Sequence, residues 1–111
     1  MEYSAKYKFA KISPRKVREV LDLIRGKPVE DAIQILRQTN KRASAMVDKT
    51  LRSAVANADE SLEADMDSLV VKKAVADEGA TRKRYRPRAR GRATVERRRS
   101  SHITIVVDDQ T

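Results

Sequence analysis

The residues whose type and spacing could do chemistry are arginines. Residues 82–99 read RKRYRPRARGRATVERRR, ten basic side chains against one acid, Glu96. The other 93 residues carry 15 basic and 15 acidic side chains, so the net charge of +9 lies entirely in this one stretch. Arg84, Arg86, Arg88, Arg90 and Arg92 recur at every second position. In an extended chain they share one face, with Tyr85, Pro87, Ala89, Gly91 and Ala93 on the other. A turn between Pro87 and Gly91 splays them around a tip instead. In both cases the small residues let a partner's surface come close. A guanidinium binds phosphate through a planar fork and also stacks on exposed bases. The chemistry is therefore recognition of a polyanion, and ten phosphate contacts would make it steeply salt-dependent. A solvated charged surface gains nothing from so much repulsion of one sign.

Catalytic chemistry finds no footing in the chain. It has no cysteine, and His102 is its one histidine. No Ser/His or Cys/His arrangement can be assembled, and no His-rich or Cys-type metal site. His102 is expected as a polar residue at a strand end, bonded to backbone or to the bound polyanion. The acids from Asp59 to Asp67 lack the glycine and ligand order of an EF-hand and read as a solvated loop. Gly79 and Gly91 sit in no GxxxxGK or GxGxxG pattern and read as turn residues. No catalytic residue, metal ligand or cofactor site is expected.

The elements that must position the arginines come from the rest of the chain. Leu, Ile, Val and Phe number 24, and 23 of them lie outside residues 77–101. A body with an ordinary apolar share therefore carries a basic element that cannot bury itself. No apolar run of Ala, Val, Ile, Leu, Met or Phe exceeds three residues, so no membrane span is expected. The N-terminal stretch alternates with lysines rather than showing the apolar core of a signal peptide.

Tyr3, Ala5, Tyr7 and Phe9 alternate with Ser4, Lys6 and Lys8, which predicts a half-buried strand. Ser13 and Pro14 suit the cap and first position of a helix lined by Val17, Val20, Leu21 and Ile24, with Gly26 as its stop. A second helix follows Pro28, with Glu30 and Asp31 in its first turn and Val29, Ala32, Ile33 and Leu36 as its stripe. Asn40 is expected to cap a third helix lined by Ala43, Met46, Val47, Leu51, Ala54, Val55 and Ala58. The alanines at 54, 56 and 58 suggest close packing against a neighbour. LVVKKAVA (69–76) and HITIVV (102–107) are strands by their β-branched content.

These strands flank the basic segment, which predicts an antiparallel hairpin with two 12-residue arms reaching roughly 40 Å from the body. The fold class is α+β: three helices on a small three-stranded antiparallel sheet, with a long basic β-hairpin projecting from the body. One domain is expected, residues 1–111, with a body of 1–76 plus 101–111 and a hairpin of 77–100.

Several of these segments carry a resemblance. A basic residue, four others and Arg88-Ala89-x-Gly91-Arg92 are followed, after nine residues, by His102-Ile103-x-Ile105-x-Val107. SPRKVREVLDLIRGK near the start, SAVANA in the long helix, ADEG entering the hairpin and RPRARGRA at its tip fall in the same order. From about Ala5 to Val107 the chain resembles the bacterial large-subunit ribosomal protein family designated L twenty-two. Ala80 stands where that family often has Pro.

The resemblance implies a structural constituent of the large ribosomal subunit, cytoplasmic, that binds the large ribosomal RNA and supports subunit assembly. Its hairpin tip would help line the exit tunnel beside the nascent peptide and neighbouring ribosomal proteins. Carried over, Arg82, Lys83, Arg84 and Arg86 would hold one arm to RNA, and Arg97, Arg98 and Arg99 the other. Arg88, Arg90, Gly91 and Arg92 would lie at or near the tip. A second basic group, Lys11, Arg15, Lys16, Arg18 and Arg25, lies on or beside the first helix. By its residues it reads equally as a phosphate-facing side or a solvated helix face, and the resemblance favours RNA.

A different class of binder also fits a basic ribbon: a DNA-bending protein that lies in the minor groove. Such a protein is ordinarily a dimer with an apolar interface. Here the apolar residues are absorbed by one monomer's core, so no homo-oligomer is expected. With one Phe and three Tyr, stacking recognition of single strands has little to draw on.

Overall fold

The computed structural model of the chain describes residues 1–87, 91 and 93–109. In chain order it runs β1 (Glu2–Ala10), α1 (Pro14–Ile24), α2 (Val29–Gln38), α3 (Arg42–Glu60), a 3-10 turn (Met66–Ser68), β2 (Leu69–Glu78), β3 (Arg82–Pro87), β4 (Ala93–Arg98) and β5 (Ser101–Asp109). β1, β5 and β2 form an antiparallel sheet with β5 in the middle, and β3 and β4 form a separate antiparallel ribbon. The α+β class and the projecting basic hairpin are as the sequence predicts.

The helices bury the stripes their spacing gives them. Val17, Val20, Leu21 and Ile24 of α1 and Val47, Leu51, Ala54 and Ala58 of α3 are fully enclosed. They meet Val71 and Ala74 of β2 and Ile103, Ile105 and Val107 of β5, also fully enclosed. α2 covers one flank with Val29, Ala32 and Leu36. Burial of each Val, Leu or Ile side chain among them stabilises by about 1.5–3 kcal/mol, so this shared core is the main force holding helices to sheet.

Pro14 opens α1 and Gly26, at φ +75°, closes it, each where a missing amide hydrogen or a missing Cβ is an advantage. The Gly26 amide then donates to the Val71 carbonyl and the Val71 amide to the Lys27 carbonyl, both at 2.9 Å. The turn after α1 thus pairs with the start of β2.

Three expectations are corrected. Asn40 does not cap α3. Thr39 ends α2, its amide and hydroxyl both donating to the Ile35 carbonyl, so Asn40 becomes linker and Lys41 takes the cap position. Ala56 is exposed, because the helical period places only Ala54 and Ala58, four residues apart, on the buried face. Phe9 does not join the face of Tyr3, Ala5 and Tyr7 but is 61% exposed. Tyr7 pairs with Ile103 and Ala10 with Ser101, so β1 holds one residue more than β5 in that interval. This bulge turns Ala10 inward and Phe9, at φ +58°, outward.

A second irregularity, between Val71 and Lys73, explains the consecutive exposed lysines Lys72 and Lys73 inside an otherwise alternating strand. At the base of the arm, Glu78 pairs with Ser101 and Arg82 with Arg98. Three residues on one side therefore face two on the other. The Gly79 amide donates to the Ser100 carbonyl at 2.9 Å, and the Ser100 hydroxyl donates to the Ala80 carbonyl at 2.7 Å. The arm leaves the body through this offset joint. The radius of gyration is 17.2 Å, against about 13 Å for a compact domain of this length, as a projecting arm requires.

Candidate nucleic-acid interface

The arm is a regular ribbon from Arg82↔Arg98 to Pro87↔Ala93. Pro87 is the last residue of β3. Arg84 is registered with Glu96, the segment's one acid. Gly91 takes φ +70°, a left-handed turn conformation that suits a residue without Cβ. Arg88, Arg90 and Arg92, expected at or near the tip, lie outside the described residues.

At its base the ribbon forms one wall of a groove of about 830 Å³. Arg82, Lys83, Arg97, Arg98 and Arg99 line that wall, and all five are exposed. The body supplies the other wall: Lys11 and Lys16, which flank the start of α1, and Arg42, the first residue of α3. Phe9, Ile12, Ser13, Ala80 and Ser100 complete the lining. Eight cationic residues thus face one groove with no acid among its lining residues. Two basic groups far apart in sequence, 11–16 and 82–99, converge here because the bulge and turn after β1 sit beside the β2–β3 joint.

Arg42 belongs to this group and escaped the reading of the sequence. A signal existed. A cation in the first turn opposes the positive end of the helix, so Arg42 costs α3 stability rather than adding to it. A residue that works against its own element is a candidate for function.

The rest of the proposed body group divides. Arg15 is exposed at the start of α1. Arg18 and Arg25 reach the free edge of β2 instead. Arg18 donates to the Ala76 carbonyl and Arg25 to the Ala74 carbonyl, each at 2.8 Å, and Arg25 also pairs with Asp22. An open sheet edge is a template for unwanted pairing, and these two arginines cover it. They clamp α1 to the sheet.

Several acids of the body are engaged in pairs of their own. Glu19 pairs with Lys41 at 3.1 Å and Asp48 with Arg52 at 3.0 Å. At the far end of the sheet the Met1 ammonium donates to Asp109 at 2.8 Å, and the Asp65 amide donates to the other carboxylate oxygen at 3.2 Å. The ammonium, then the amide, hold the Asp109 carboxyl below its ordinary range, and Asp109 in turn raises the amine above its own. Lys72, beside Glu2 and then Asp108, is likewise held protonated beyond the usual range. Among the described residues no group of His, Cys, Asp and Glu is placed to hold a metal ion, and no helix is long and apolar enough to cross a membrane.

An α+β body with a projecting basic ribbon and a groove lined by cations and no acid defines a class of protein with a surface suited to a polyanion. Its family follows from comparison: the chain belongs to the family described as Ribosomal protein L22p/L17e, which matches residues 5–108. That family is a structural component of the ribosome, not a family of enzymes. The Large ribosomal subunit protein uL22 of Pelotomaculum thermopropionicum is 56% identical over 110 residues, covering 99% of this chain and 97% of its own. Those of Macrococcus caseolyticus and a Thermoanaerobacter species are each 57% identical over 110 residues. They are covered over 89% and 99% of their lengths, respectively, by 99% of this chain.

Proposed function

We propose that this protein is a structural constituent of the bacterial large ribosomal subunit, working in the cytoplasm by binding the large ribosomal RNA. The observation that carries the RNA contact is the groove at the base of the arm. Eight cationic residues from three separate parts of the chain meet there, although their mutual repulsion disfavours it in the free protein. Phosphates repay that repulsion. Arg82, Lys83, Arg84 and Arg86 contact RNA along one side of the ribbon, and Arg97, Arg98 and Arg99 along the other. Lys11, Arg15, Lys16 and Arg42 add the body's share, while Arg18 and Arg25 act first as clamps on β2.

The chain is one domain, with a body of 1–76 plus 101–111 and an arm of 77–100. The arm is too poor in apolar residues to pack on itself, and RNA supplies its surroundings. Arg88, Arg90, Gly91 and Arg92 sit at or near its tip. There the protein helps line the nascent-chain exit tunnel, beside the nascent peptide and neighbouring large-subunit proteins. It acts as a monomer and supports subunit assembly, since an arm set among RNA helices also holds those helices together.

Competition binding tests this reading. Labelled large-subunit ribosomal RNA is challenged with excess duplex DNA over a range of salt. RNA binding that survives the competitor, and weakens only with salt, is the expected outcome. Free displacement by duplex DNA at every salt would reduce the arm to a general electrostatic handle.

A further inference from the structure

Phe9 is the least explained residue of the body. It lies in the extra position of the β1 bulge at φ +58°, a conformation that glycine adopts freely and a bulky aromatic residue rarely does. Strain of this kind persists where the surroundings enforce it, and it gathers at functional sites. The bulge delivers Ala10 to the core, but the Phe9 ring itself contributes nothing there, being 61% exposed.

The ring is nevertheless held. The Phe9 amide donates to Nδ1 of His102 at 3.1 Å, and the two rings meet edge to face, with centroids 4.8 Å apart and planes at 83°. Gly79 leaves room for the His102 ring: a Cβ there would come within 3.3 Å of its Cε1 and Nε2. An exposed aromatic ring of set orientation therefore stands in the wall of a groove that eight cationic residues line.

We propose that Phe9 is a stacking platform for an unpaired nucleobase of the bound RNA, with Lys11, Arg42 and Arg99 taking the flanking phosphates. The proposal rests on the reading of the groove as an RNA site and adds a base contact to it. Sequence-tolerant base binding by proteins takes this form, an aromatic face beside a cationic track. A purely electrostatic groove has no use for an exposed, strained phenyl ring. His102 acts as a positioning residue that sets the ring's angle.

The test uses the whole protein with large-subunit ribosomal RNA transcribed in vitro. The chain has no tryptophan, so Phe9→Trp introduces a single fluorescent reporter. Its emission is expected to be quenched on binding ribosomal RNA and little changed by a fully paired RNA duplex. Phe9→Leu is expected to bind ribosomal RNA roughly tenfold more weakly at every salt concentration, with an unchanged salt slope, and Phe9→Tyr to bind as the native protein does.

Circular dichroism and thermal melting of each variant separate binding from folding. A Phe9→Leu protein that melts lower yet binds normally makes Phe9 a structural bulge residue and overturns the proposal. So does an unchanged tryptophan emission in the bound complex. If the native protein itself does not bind ribosomal RNA, the reading of the groove falls first and the stacking role with it.

Discussion

Two bulky residues share the left-handed backbone region, Phe9 at φ +58° and Leu62 at φ +59°, and they carry opposite expectations. Leu62 follows the end of α3, where glycine is the usual residue, and it is 92% exposed with nothing to hold its side chain. Leu62→Gly is therefore expected to stabilise the protein by roughly 0.5–1 kcal/mol, measured by chemical denaturation, because the strain goes and no packing is lost. Phe9 keeps its strain beside the groove, where the ring has a use. At the same scale, Leu51 is fully enclosed between α3 and its neighbours. Leu51→Ala is expected to cost about 2–5 kcal/mol in the same measurement, through lost burial and the cavity left behind.

At the scale of elements, the joint between body and arm is the critical part. Gly79 has an ordinary backbone conformation, so its value lies in closeness: a Cβ would run into the Ser100 hydroxyl and press on His102. Gly79→Ala is expected to displace that hydroxyl from the Ala80 carbonyl and loosen the joint. Amide exchange at Gly79 and in the first pairs of β3 should rise while the core helices keep their protection; uniform protection would contradict this account. The far end of the sheet is tied differently, through Met1, Asp65 and Asp109. The lowered Asp109 contributes stability above its unfolded value of 3.8, and that contribution is lost as pH falls through the still lower folded value. The raised Met1 amine contributes fully below 8.0 and ceases to as pH rises through its folded value. Melting temperature followed against pH should decline at both limits, and Asp109→Asn should flatten both declines.

The whole molecule is a neutral folded body that holds a charged arm at a set angle, and its binding should divide accordingly. Removing a groove cation by Lys11→Ala, Arg42→Ala or Arg99→Ala is expected to lower the slope of log K against log salt by about 1 each, without lowering the melting temperature. Arg18→Ala is expected to do the reverse, lowering the melting temperature with a smaller effect on the slope, because its guanidinium holds the β2 edge. A salt slope that falls equally for Arg18 and Arg42 would erase the distinction between clamp and contact.

The sequence by itself determined the α+β class, the helix stripes, the two flanking strands and the concentration of charge in one arm. Each of these is written in local periodicity or composition: Val17 to Ile24 at helical spacing, the β-branched runs, ten cations in 18 residues. Only the tertiary structure decided which cations work together. Lys16, Arg18 and Arg25 lie within ten residues of one another on α1 or just past its end, yet two of them cap a sheet edge and the third faces the arm. That assignment depends on which strand lies alongside α1, a contact between residues some fifty positions apart. The bulge that turns Phe9 outward depends on pairing with β5, more than ninety residues away, and no local pattern records it. Arg42 joined the groove for the same reason: periodicity reports the face a side chain occupies, and packing alone reports what that face meets.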